Sequence, residues 1–188
     1  MVPTAAPADS PQRSTALTNL GFLTVLHEAS GYLGGYLVTN VWGRPLEFRL
    51  SSAVQPNRVQ HILYAATLEP YICADLIGKT LVEKAALPVQ LLITDQPAIL
   101  DLRHKVECPV LLLPSGEDTR SRELAEQGAA VPARKADQGA LLCHPQFVED
   151  GALARDLLGR LDAGFDLAEP FARIREAIGE ARKMGVHK

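Results

Sequence analysis

The sequence predicts an α/β (or α+β) domain, and three observations carry that expectation. Leu46, Phe48 and Leu50 alternate with Glu47, Arg49 and Ser51, the period of a half-buried strand. Residues 89–94 and 109–113 are continuous apolar runs of strand length, the pattern of strands buried on both faces. Over 59–81 and 153–181 apolar residues recur at three- and four-residue spacing, the period of helices packed by one face.

Taken in chain order, residues 1–18 are rich in Pro, Ala, Ser and Thr and show no periodicity. They are expected to form a disordered tail ahead of a single globular domain over 19–188. Residues 22–28, 36–40 and 46–51 then read as a three-stranded antiparallel meander. Ser30, Gly31, Gly34 and Gly35 are read as the first turn or a bulge, and Gly43 with Pro45 as the second.

Central helices follow. Val59, Ile62, Leu63 and Ala66 make one stripe, and Ile72, Cys73, Leu76, Ile77, Thr80 and Leu81 make another. Asp75, Lys79 and Glu83 fall on the second helix's opposite, solvent side. Gly78 inside it costs about 1 kcal/mol relative to Ala, which a close packing contact would explain. The runs 89–94 and 109–113 are joined by about the dozen residues that a parallel β-α-β crossover needs, with Asp95 as the N-cap of a short helix over 98–105. Residues 114–138 read as a polar surface excursion with a short helix over 122–127, and 140–143 as a further strand. Two C-terminal helices close the chain. One carries Leu153, Leu157, Leu158 and Leu161 on its buried face. The other has Asp166 as N-cap, Phe171, Ile174, Ile178 and Ala181 inside, and Gly185 as its stop.

Composition excludes several classes. The chain is 47% hydrophobic and 22% charged, which argues against wholesale disorder. A net charge of −3 and no basic stripe argue against nucleic acid as a partner. No apolar run reaches the roughly 18–20 residues that span a bilayer, and residues 1–12 lack the basic and apolar regions of a secretory signal. Cys73, Cys108 and Cys143 are too few and too scattered for a disulfide framework, so a reducing, cytoplasmic setting is expected.

Four constellations have residue types suited to chemistry. Arg49 and Ser51 share a strand face, Ser52 follows, and Asn57 and Arg58 open a helix whose free N–H groups attract anions; together they form a candidate anion site. The glycines of 31–35 precede no helix and no Lys-Ser/Thr, so they fit neither phosphate-binding template. His104 with Cys108, and Cys143 with His144, have ligand chemistry without a zinc-site spacing, so no metal is expected. Cys143 beside His144 is the best placed of three thiols for a nucleophile, but buried structural cysteines are the simpler reading.

No catalytic template survives this comparison. The expectation is therefore a non-catalytic protein that acts through a protein partner or as a homo-oligomer, without cofactor, nucleic acid or membrane. Trp42, in a turn between Val41 and Gly43, is the candidate interface anchor. The alternative is binding or transformation of a small anion at Arg49, Ser51, Ser52, Asn57 and Arg58. A cysteine-dependent enzyme stands third.

Overall fold

Among the described residues of the computed structural model, seven strands form one mixed sheet in the order β3-β2-β1-β4-β5-β7-β6. The structure describes residues 18–114, 119–127, 130–131, 140–162 and 164–185. The N-terminal meander consists of β1 (Leu20–Glu28), β2 (Gly31–Thr39) and β3 (Pro45–Leu50), each antiparallel to the next. Next to β1, and parallel to it, lies β4 (Leu91–Thr94); β5 (Val110–Leu112) is parallel to β4 in turn. Two short strands, β6 (Ala130–Val131) and β7 (Leu141–Cys143), close the far edge in antiparallel pairing. The expected meander, parallel unit and C-terminal helices are thus all present.

Helices cover both faces. After β3 come α1 (Arg58–Tyr64), the single turn α2 (Leu68–Pro70), a π-helix (Tyr71–Gly78) and α3 (Lys79–Glu83). A 3-10 helix (Pro97–His104) links β4 to β5, and α4 (Thr119–Glu126) follows β5. The opposite face is covered by α5 (Asp150–Gly159) and α6 (Glu169–Lys183). Successive residues of each strand feed opposite cores. Leu23, Val25, Leu92, Val110 and Leu112 join the π-helix and 3-10 helix side, whereas Leu20, Phe22, Leu91, Ile93 and Leu111 join the α5 and α6 side. That is why β4 and β5 read as continuous apolar runs.

Several local expectations are corrected. The glycine run is not a turn: Gly31 to Gly35 belong to β2, and the chain reverses over Ala29 and Ser30. The expected tail of 1–18 lies outside the described residues apart from Thr18, which is buried, so order begins at least there; Asn19 is tied to Gln90 and Pro88. Leu76 is half-buried and Thr80 exposed because the π-winding shifts the helix phase, so Ala74 and Gly78 join the buried set. Gly78 is in the expected close contact, with Leu23 and Leu102 both against it. Asp95 does not cap the helix that follows; its carboxylate pairs with Arg175 of α6. Asp166 accepts from the Ala168 amide ahead of α6 and is not its N-cap. Leu153 is 58% exposed, because α5 is turned to bury Asp150, Gly151, Ala154 and Leu158. The cause is polar: the buried Asp150 carboxylate takes Nε and Nη2 of Arg103 at 2.6 and 3.2 Å, which fixes the helix rotation.

Gly34 and Gly35 position both helical layers. A Cβ on Gly34 would lie 2.2 Å from Cγ2 of Ile77 in the π-helix, and one on Gly35 would lie 2.3 Å from Cγ2 of Ile174 in α6. Adjacent strand residues face opposite sides, so one dipeptide seats a helix on each face of the sheet. Gly34→Ala should destabilise by about 1–3 kcal/mol through overpacking. In an Ile77→Leu background, which lacks the branching methyl, the penalty should shrink. Urea melts of the four proteins check this; strictly additive losses would show that the two groups do not meet.

Candidate functional site

The polar face of β3 holds together the surface on which the sequence placed an anion. Glu47 organises it. Its carboxylate accepts Nε of Arg49 at 2.5 Å and the backbone amides of Ala86 and Leu87 at 3.0 Å. Arg49 is therefore neutralised by its strand neighbour. Ser51 Oγ accepts the Gly34 amide at 2.8 Å and donates to the carbonyl of Ser52 at 2.9 Å, which ties the end of β3 to β2. Asn57 caps α1 through a reciprocal box: its Oδ1 accepts the Gln60 amide and Gln60 Oε1 accepts the Asn57 amide, both at 2.9 Å. Arg58 stands exposed in the first turn of α1. Arg49, Ser51 and Asn57 thus each have a partner within the chain, and all three serve the scaffold.

The cysteines lie in surroundings that disfavour thiolate. Burial pushes the Cys73 thiol up to about 12 and Cys108 up to about 11, and raises Cys143 as well. His144 Nδ1 accepts the Gln146 amide at 3.2 Å, so the neutral ring carries its proton on Nε2, which faces Asp101 at 3.5 Å. Burial, and then the neighbouring His104, hold His144 below its ordinary value. The His104 and His144 rings meet edge to face at 4.6 Å, and both touch Phe147, over which Arg103 stacks at 4.3 Å. Among the described residues no group of three or more His, Cys, Asp or Glu is placed to hold a metal ion.

Exposed apolar side chains make the more distinctive surface. Trp42 is 66% exposed in a turn fixed by Asn40, whose Oδ1 accepts the Trp42 and Arg44 amides. On the other side of β3 in the chain, α1 buries no residue at all, although Val59, Ile62 and Leu63 are large and aliphatic. They are 61%, 69% and 74% exposed, and Ala66 beyond them is also exposed. Sequence periodicity found this stripe but could not tell that it faces solvent. On its other side α1 is held by Tyr64, whose ring stacks on Tyr71 at 4.3 Å. The helix stops at Ala65, a non-glycine residue with φ +46, which breaks the helical run before the π-helix. Such a conformation costs about 1–3 kcal/mol and persists where the surroundings enforce it.

The comparisons with known proteins add no assignment: no protein-family model matches the chain, and no curated protein matches it. No helix among the described residues is long and apolar enough to cross a membrane.

Glu47 is open to a direct test. The Ala86 amide, with the Leu87 amide and Arg49, outweighs burial and holds its carboxyl below the ordinary value of 4.5. The stability it contributes is present above that value and is lost as pH falls through the lowered one. Wild type and Glu47→Gln should therefore differ most in unfolding free energy at neutral pH, and the gap should close as pH falls through and below the lowered value. A gap independent of pH would mean that the ionised carboxylate is not what holds the 86–87 loop.

Proposed function

We propose that this chain works by binding a protein partner, with the apolar stripe of α1 as the anchor. The observation that carries the reading is a helix with no buried residue, three large aliphatic side chains turned outward and strained backbone at its end. Single exposed apolar residues are ordinary on protein surfaces, but a contiguous stripe is the mark of an interaction surface. Val59, Ile62 and Leu63 stand at i, i+3 and i+4, so their side chains are neighbours on one helix face. That is the spacing by which a helix fills an apolar groove in another protein. Trp42 is a further exposed aromatic of the type that anchors interfaces.

The anion reading is less well supported, because Glu47 neutralises Arg49 and Asn57 closes the helix start. The cysteine-enzyme reading is opposed by three raised thiols.

The test is the double substitution Ile62→Asp with Leu63→Asp. Because both side chains are mostly exposed, unfolding free energy should change by less than about 1 kcal/mol. Tagged wild type expressed in its own cells should retain a protein in stoichiometric amount that the variant loses. Recovery of the same proteins at the same level with both would defeat the proposal, as would a loss of several kcal/mol, which would mean that the stripe is buried.

A further inference from the structure

A cavity of about 390 Å³ opens at the end of the sheet where the parallel strands begin, between the loop that leads into β4 and the one that leads into β5. Its walls are mostly apolar: Val82, Leu87 and Val89 on one side, Val106 and Cys108 on the other. Tyr36 of β2 also lines it, although the residue is only 1% exposed. The ring reaches across β1, where a Cβ on Gly21 would lie 2.7 Å from the Tyr36 hydroxyl oxygen; only glycine leaves it room. That hydroxyl is buried and has no hydrogen-bond partner among the described residues. Leaving a buried donor unmatched is costly, and because this hydroxyl is closed off behind the cavity wall, an acceptor reaches it only when the side chains over it shift.

The cavity is built on fixed parts. Glu47 clamps the amides of Ala86 and Leu87 and so holds one wall from β3. Its volume is in the range of small-molecule sites, which are mostly apolar with a few placed polar groups. No basic residue lines it, whereas Glu107 does, so an anion finds no counter-charge there. Burial keeps both the Tyr36 phenol and the Cys108 thiol protonated at neutral pH, as donors and not as bases.

We propose that this cavity binds a small, uncharged, mostly apolar molecule whose acceptor oxygen takes the hydrogen bond of the Tyr36 hydroxyl. The site is separate from the α1 stripe, and neither reading depends on the other.

The experiment titrates the full-length 15N-labelled chain with acetophenone, with ethylbenzene as the analogue lacking the oxygen and benzoate as the anion. Acetophenone should shift the amides of residues 85–87, 89 and 106–108 saturably, and benzoate should not. Tyr36→Phe removes the unmatched donor, so the unliganded variant should melt at the same temperature as wild type or higher. It should bind acetophenone about 2- to 10-fold more weakly, the worth of one neutral hydrogen bond, and ethylbenzene equally well. Ala85→Phe, which fills the cavity from its wall, should abolish binding of both. The proposal is overturned if no saturable shift reaches those amides up to the solubility limit, if the shifts centre elsewhere, or if Tyr36→Phe binds acetophenone as wild type does.

Discussion

The contact of Ile77 and Ile174 with Gly34 and Gly35 is the constraint on which the other parts depend. Two methyl groups, one from each helical layer, occupy the space where adjacent side chains of β2 would stand. The approach brings the π-helix and α6 close enough for the two cores to be continuous with the sheet. Other groups then lock the layers in place without moving them. Arg175 of α6 pairs with Asp95 at the end of β4, Arg182 of α6 with Glu28 at the end of β1, and Arg103 of the 3-10 helix with Asp150 of α5. The Gln96 side-chain amide clamps the Val25 backbone, its Oε1 accepting the Val25 N–H and its Nε2 donating to the Val25 carbonyl. A seat fixed by shape and latches fixed by charge give one packing and not a family of them.

The same economy explains the polar face of β3. Glu47, Arg49 and Ser51 look like a binding surface when only their order is known. In the fold each is bound to a backbone group or a neighbour, and Glu47 ties the amides of Ala86 and Leu87 to β3. That tie holds one wall of the adjacent cavity. Leu46, opposite which β2 has no register partner, and Pro45 mark this strand as the irregular outer edge of the sheet. Both are devices by which edge strands avoid pairing with other chains. A partner is therefore better sought at α1 than along β3.

What could be read from the sequence was what is local. The strand period of β3, the double burial of β4 and β5, and the inward face of α6 were legible as periodicities, but the apolar side of β3 is not buried as its alternation implied: Leu46 and Phe48 are 43% and 38% exposed, because no helix covers them at the sheet edge. The role of Gly34 and Gly35 was not, because the residues that fill their space, Ile77 and Ile174, are remote in the chain, and glycine pairs more often mark turns. Leu153 was misplaced for a similar reason: the rotation of α5 is set by Arg103, which no helical period reports. The stripe of α1 shows the limit most plainly. Period identifies a face, whereas burial depends on whether another element covers it. Tyr36 gave no signal of its own, since its unmatched hydroxyl becomes visible only once Gly21 and Cys108 are placed around it.

Helix α1 is held by the Tyr64–Tyr71 stack and its Asn57 cap, beside a sheet held on both faces. Hydrogen–deuterium exchange resolved by residue measures that contrast directly, because amides exchange by whatever opening is least costly. The account predicts that the amides of α1 exchange by local opening, far faster than those of β1, β2 and β4, which should exchange only on global unfolding. Protection of α1 equal to that of β2 in the isolated chain would contradict it, since the stripe would then have to be buried.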